Sequence, residues 1–319
     1  MDAGSHESPG ASTTAEEVLG DADLTGRTVV VTGASGGIGR ETARAFANHG
    51  ATVVLAARDE GKTARAATEI RAATGNGSVE TLTLDLASQA GIRRAAAELL
   101  KRHESLSILV NNAGLMATPH LRTEDGIELQ FGVCHVGHFL FTCLLAPALV
   151  KGAPSRVISY TSGGHRFSPV HFEDINFDHR AYDKWMAYGQ AKTATALFSV
   201  ELERRLSHKG VRAFSVHPGL VFGTDLARHL TRDDLKALSG ITPKAVRPKT
   251  VEQGAATGVW AAVSSQLDGR GGLYLEDCGI AEINDVPEAE TGYRAWAVDP
   301  MAAAALWEKT EELVGQRFL

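Results

Sequence analysis

Cysteine is scarce, with three residues, Cys134, Cys143 and Cys278, in a chain of 319. Their spacing matches neither a metal-ligand set nor a disulfide framework, and a reducing compartment suits them best. A cytoplasmic location is therefore expected. Positive charge is also short, at 32 Lys and Arg against 38 Asp and Glu. The net charge of -6 speaks against nucleic acid as a partner, because phosphate binding calls for a basic patch. The opening residues 1–23 lack the basic start and apolar run of a signal peptide. They are polar and acidic, so a disordered lead-in is expected there. No apolar run reads as long enough to span a bilayer, and the most apolar stretch, Phe139 to Val150, reads as a buried helix. His135, His138, His165 and His171 have no carboxylate or cysteine partner at ligand spacing, so no metal is expected.

What is present is an ordinary globular composition, 44% hydrophobic and 22% charged. Short, continuously apolar segments begin at Thr28 to Val31 and recur along the chain, separated by helical stretches. Unbroken apolar strands alternating with helices imply a parallel sheet covered on both faces. No repeat or linker divides the chain. The expectation is one doubly wound α/β domain over 24–319, Rossmann-like, with about seven strands.

The first strand runs into TGASGGIG, with Gly33, Gly37 and Gly39 opening a helix. There, backbone N–H groups and a helix N-terminus can face a pyrophosphate. The spacing is TGxxxGxG rather than GxGxxG, so the match to the general dinucleotide fingerprint is imperfect. Much further on, Tyr188 stands four residues before Lys192. One helical turn separates them, so both side chains leave the same face. A free phenol is a poor acid at neutral pH, and a nearby ammonium favours its phenolate. Two surface residues on an amphipathic helix are the plainer reading of that pair taken alone.

TGASGGIG, the LDL at Asp85, the NNAG of Asn111 to Gly114 and the YxxxK of Tyr188 and Lys192 follow one another in the order found in the short-chain dehydrogenase/reductase family. VHPG and the tail GLYLEDCGIAE resemble the branch that holds retinol dehydrogenases and WW-domain oxidoreductases. The resemblance covers roughly Leu24 to Gly315. It implies a nicotinamide cofactor held at Gly33, Ser35, Gly37, Ile38 and Gly39. Asp85 and Leu86 would lie near the adenine, and Asn112, Ala113 and Gly114 near the ribose. Pro218, Gly219 and Thr224 would complete the cleft. Asn111 reads as a brace between central strands.

At the end of the second strand the family's acidic NAD position falls on Ala57, and Arg58 follows. A guanidinium grips a 2′-phosphate through paired hydrogen bonds, which favours NADP over NAD. Asp59 and Arg40 stand close enough to affect that choice. The resemblance further implies that Tyr188 exchanges a proton with a carbonyl or alcohol oxygen while hydride moves at its carbon. Lys192 would hold the ribose and tune the phenol, and Ser162 would hydrogen-bond the substrate oxygen. Thr161 and Ser159 compete with Ser162 for that part.

Two departures stand out. Family members carry Asn-His where this chain has Cys134-His135, and that asparagine organises a proton relay through its main-chain carbonyl and a water. The relay survives through the backbone, or the chemistry is altered, or the enzyme is weakened. Gly223 also replaces a frequent threonine, with Thr224 one position later. Together these keep open a second function, a cofactor-binding protein with lost or redirected redox activity, such as a cyclase, isomerase or nucleotide sensor. The substrate walls are expected at Met116, His165, Phe167, Trp185 and Met186, which suits a small-molecule carbonyl or alcohol that is bulky and largely apolar. The amphipathic segment over 220–247 reads as a lid. Family members pair through two long helices, so a homodimer or homotetramer is a further expectation.

Overall fold

Eight strands form one sheet in the computed structural model, which describes residues 9–234, 236 and 247–319. They are β1 (Thr28–Thr32), β2 (Thr52–Ala57), β3 (Val79–Thr83), β4 (Ile108–Asn111), β5 (Ser155–Tyr160), β6 (Val211–His217), β7 (Leu273–Glu276) and β8 (Gly279–Ile280). Their spatial order is β3-β2-β1-β4-β5-β6-β7-β8. All neighbours up to β7 are parallel, and β8 turns back antiparallel to β7. The doubly wound sheet is as expected. The two-residue β8 is too short to leave a periodic signal in the sequence.

The helices are α1 (Ala15–Leu19), α2 (Gly37–Asn48), α3 (Glu60–Thr74), α4 (Gln89–Arg102), α5 (Leu129–Lys151), α6 (Lys184–Leu206), α7 (Val251–Val263) and α8 (Pro300–Val314). Val29, Val30 and Val31 are fully buried, because helices cover both faces of the sheet. One core cluster contains Ile92, Phe139, Leu197 and Leu306 from α4, α5, α6 and α8. The other contains Ala15, Phe46, Ile70 and Val259 from α1, α2, α3 and α7. Neighbouring β1 and β4 carry chain excursions in opposite directions. That reversal opens a crevice beyond the strands' carboxyl ends, where ligands bind in such sheets.

Two expectations need correction. Residues 9–23 of the lead-in are ordered, since α1 docks Ala15 and Leu19, exposed by 0% and 3%, into the second core. A capping box between Thr14 and Glu17 starts that helix. Next, the apolar run is part of a continuous 23-residue helix, α5, which is long and apolar enough to cross a membrane by length and composition. Its most apolar window is 78% buried within the fold, so α5 serves here as a core helix. In addition, the chain's own α8 packs against the two long helices α5 and α6. Trp307, 1% exposed, meets Phe139 edge-on at 4.7 Å and stacks with Phe198 at 6.1 Å.

Within the expected lid, Asp225–His229 forms a short 3-10 helix, and Lys184 forms an ion pair with Asp234. The lid's residues 235 and 237–246 lie outside the described residues.

Candidate active site

The loops at the carboxyl ends of β1, β4, β5 and β6 meet around the glycine turn. Gly36 starts α2 with no side-chain cap, and the first helical turn carries no acidic residue. Its leading N–H groups therefore have no side-chain acceptor, the condition that suits a phosphate. Gly39 is required by close approach, since a Cβ there would sit 2.4 Å from Asn112 Nδ2. That amide donates to Thr32 O at 2.8 Å, so Asn112 braces the turn with its side chain. Thr32 Oγ1 also accepts from Asn112 N and Ala113 N, at 2.9 and 3.0 Å. The turns after β1 and β4 are thus locked to each other.

Gly33, Ser35, Gly37 and Ile38 line this turn, partly exposed. Thr224 reaches over it, its methyl 3.2 Å from where a Cβ on Gly37 would lie. Leu226 approaches Gly114 in the same way at 4.0 Å. The 3-10 segment therefore lies across the cleft, with half-buried Pro218 and Gly219 at its root. On the far side, Asp85 Oδ1 accepts from Ala87 N at 3.0 Å. The Leu86 side chain is 6% exposed and belongs to the core, which leaves its backbone for any ligand.

At the end of β2, Arg58 is exposed. Asp59 accepts from Lys62 N at 2.8 Å and caps α3, so that oxygen is already engaged. Arg40 pairs with Glu69 at 2.6 Å. Of the charged groups around Ala57, Arg58 is the cation left without an ion pair among the described residues.

Tyr188 and Lys192 are 3% and 4% exposed on α6. Lys192 Nζ stands 5.8 Å from the Tyr188 ring centre and donates to Tyr160 O at 2.8 Å. It also lies 3.6 Å from where a Cβ on Gly114 would be, at the edge of the cleft. Burial raises the Tyr188 phenol, while Lys192 and a hydrogen bond with Ser162 pull it down. The net direction is upward, so burial outweighs the ammonium here and the phenol stays protonated, ready to act as an acid. Ser162 caps the 3-10 turn Gly163–Phe167, its Oγ accepting from Gly164 N at 3.1 Å. Of its competitors, Thr161 donates to Lys192 O at 2.9 Å, and Ser159 is buried beside Asn111. Ser162 is the hydroxyl that faces the phenol.

Cys134 sits in a π-helical turn, Gly132–Val136, at the start of α5. Its Sγ donates to Leu115 O at 3.6 Å and approaches the Cβ position of Gly114 at 3.7 Å. Its main-chain carbonyl accepts from His138 Nδ1 at 3.0 Å, while the single Thr195 hydroxyl proton has Ala191 O nearer, at 3.0 Å, than Cys134 O, at 3.3 Å. The carbonyl assigned to a water-linked relay thus already has one protein donor, His138.

The expected substrate walls divide. Met116 and Trp185 are half-buried, and Phe167 and Met186 are 39% and 38% exposed, so all four can face a ligand. Phe167 and Trp185 meet edge-on at 6.1 Å. His165 does not belong with them. It is fully buried behind Ser162, because both ring nitrogens are drawn inward to polar partners. Gly164 is a site residue missed in the sequence. A Cβ there would lie 2.5 Å from Tyr188 Cε1, so the phenol ring needs a glycine beside it. Its place in the TSGG run was the available signal.

A doubly wound sheet with an uncapped helix N-terminus at the crevice and a buried Tyr–Lys–Ser cluster defines a nucleotide-dependent oxidoreductase. The family model for short chain dehydrogenase matches residues 27–235, and the chain belongs to that family, in its retinol dehydrogenase-like branch. Human retinol dehydrogenase 13 is 41% identical over 297 residues, covering 92% of this chain and 86% of the relative. The WW domain-containing oxidoreductase of Danio rerio is 39% identical, covering 96% and 73%. A solved structure of an uncharacterized protein from Mycobacterium paratuberculosis superposes with a TM-score of 0.74 at 33% identity, covering 97% of this chain and 99% of that one. The Pseudomonas aeruginosa RhlG/NADP active-site complex superposes at 0.64 with 28% identity, covering 80% and 95%.

Proposed function

We propose that the chain is an NADP-dependent oxidoreductase interconverting a carbonyl and an alcohol, with Tyr188 as the acid–base group. The convergence of the Tyr188 phenol, the Lys192 ammonium and the Ser162 hydroxyl beside Gly114 carries this reading. NADPH, when bound, supplies hydride to the carbonyl carbon. In that direction Tyr188 gives its proton to the carbonyl oxygen, and Ser162 donates a hydrogen bond to the same oxygen. Lys192 favours the resulting phenolate and stands ready to hold a ribose hydroxyl. The free Arg58 and the capping duty of Asp59 support NADP over NAD. The exposed Phe167 and Met186 support a largely apolar substrate. Three free, buried thiols support a cytoplasmic location, which cell fractionation tests. Any homodimer or homotetramer is assigned to a face other than the one α8 covers, and sedimentation with mapped crosslinks tests this.

Tyr188→Phe tests the mechanism. It abolishes turnover against a panel of ketones and aldehydes and leaves NADPH affinity within about threefold. Normal turnover by that variant overturns the assignment. A second reading, redox activity lost or redirected, rests on Cys134 and its carbonyl, already engaged by His138. In that case the unmodified protein binds NADPH without consuming it, and Cys134→Asn restores reduction. Steady NADPH consumption by the unmodified protein rejects it.

A further inference from the structure

His165 was expected in the substrate wall, yet it is 0% exposed, and its surroundings describe a different task. Arg294 N donates to its Nε2 at 3.1 Å. A backbone N–H only donates, so Nε2 carries no proton and Nδ1 must. Nδ1 then donates to the Ser162 carbonyl at 2.7 Å, and the Tyr274 hydroxyl donates to the same carbonyl at 3.4 Å. Burial, foremost, with neighbouring Arg166, His217 and Arg294, lowers the imidazole to about 3, which keeps it in this neutral form. One tautomer of one ring thus joins two segments that are 129 residues apart.

The far segment is itself fastened. The Arg294 guanidinium donates to the carbonyls of Asn284, Val286 and Pro287 and gathers that loop around itself. Arg166, next to His165, donates to Gly292 O, and Gly292 N donates to Glu276 Oε1 at 2.6 Å. Tyr293 stacks on Tyr274 at 5.1 Å. On the other side, the Thr193 hydroxyl of α6 shares its proton between Ser168 O at 2.8 Å and His165 O at 3.1 Å. The turn carrying Ser162 is therefore held from behind by a C-terminal strap and by the helix that carries Tyr188.

We propose that His165 is a positioning residue, through which the strap Glu282–Ala297 fixes the Ser162 turn and aims its hydroxyl at the Tyr188 phenol. This rests on the oxidoreductase reading above, and the test separates the two. His165→Ala lowers kcat by about 10–100-fold with NADPH affinity within about twofold, the scale set by slight misplacement of a reacting group. His165→Asn, whose amide N–H reaches the place of Nδ1, recovers most of that loss. Added to Ser162→Ala, His165→Ala costs nothing further, because no hydroxyl is left to position. Multiplying losses, or His165→Asn no better than His165→Ala, overturn the proposal while leaving the site reading intact. Full turnover by Ser162→Ala overturns both. If His165→Ala fails to fold, Arg294→Ala, which loosens the strap alone, must give the same kcat loss; normal kcat there overturns the proposal. Without any turnover, the Tyr188 absorbance titration, taken as the difference from Tyr188→Phe, must move upward alike in Ser162→Ala and His165→Ala. An unmoved midpoint in His165→Ala overturns the proposal.

Discussion

Gly164→Ala perturbs the site by one methyl group. A Cβ at this position would stand 2.5 Å from Tyr188 Cε1 and 2.7 Å from Cδ1, where ordinary contact begins at 3.4 Å. The obstacle is a buried ring, so the phenol must retreat by about 0.9 Å or the 3-10 turn must shift by as much. Overpacking of this kind costs about 1–3 kcal/mol of stability. Displacing a reacting group by about 1 Å costs on the order of 100-fold in rate. The expected outcome is a kcat lowered by about 100-fold, cofactor affinity nearly unchanged and a melting point a few degrees lower. Gly163→Ala is the control. Its Cβ would meet the Arg166 guanidinium at 3.1 Å and His217 Nε2 at 3.5 Å, and not the phenol, so its kcat stays within about threefold of wild type. Steady-state kinetics with calorimetry on both variants decide the matter. Wild-type kcat in Gly164→Ala, or equal losses in both, refutes the proposed dependence on the phenol's placement.

Three other outcomes are expected. Burial lowers His135 to about 3, His138 to about 4 and His165 to about 3. The unfolded chain takes up these protons below about pH 6.5 and the folded one does not, so stability falls with pH by about 1.4 kcal/mol per unit for each group. Glu128, whose carboxyl burial raises above the usual range, opposes this in part. Urea midpoints at pH 7, 6 and 5 should decline, and a flat or rising series contradicts the neutral, buried assignment. Trp307→Ala removes the ring that seals α8 onto α5 and α6 and should cost about 3–5 kcal/mol. Light scattering should then detect association through the uncovered face, and a stable variant that does not associate argues against α8 as its cover. Arg58→Ala should weaken NADP binding by about tenfold or more and leave NAD binding unchanged, as read by fluorescence titration. Equal weakening of both contradicts 2′-phosphate recognition by Arg58.

Much of the architecture was legible because burial on both faces forces unbroken apolar strands, as in Thr28–Thr32, and these stand out from helical periodicity. Helix pitch put Tyr188 and Lys192 on one face, but only the resemblance to the family singled out that pair and Ser162 as a site. What was hidden depends on contacts remote in sequence. His165 looked like a wall residue until Arg294 was seen to take its second nitrogen. Gly164 gave no sign of the ring that would strike its Cβ. Helix α1 has five residues, too few for a period, and its order comes from docking on α7. The upward direction of Tyr188 was missed because sequence spacing brings the ammonium into view and leaves burial out.

A crystal structure with NADP bound tests the central claim most directly. The account predicts the nicotinamide ring between Gly114 and Tyr188, with C4 facing a space where one oxygen could meet both the phenol and the Ser162 hydroxyl. A ring lodged away from Tyr188, or a cleft that stays closed to the dinucleotide at saturating concentration, would contradict it.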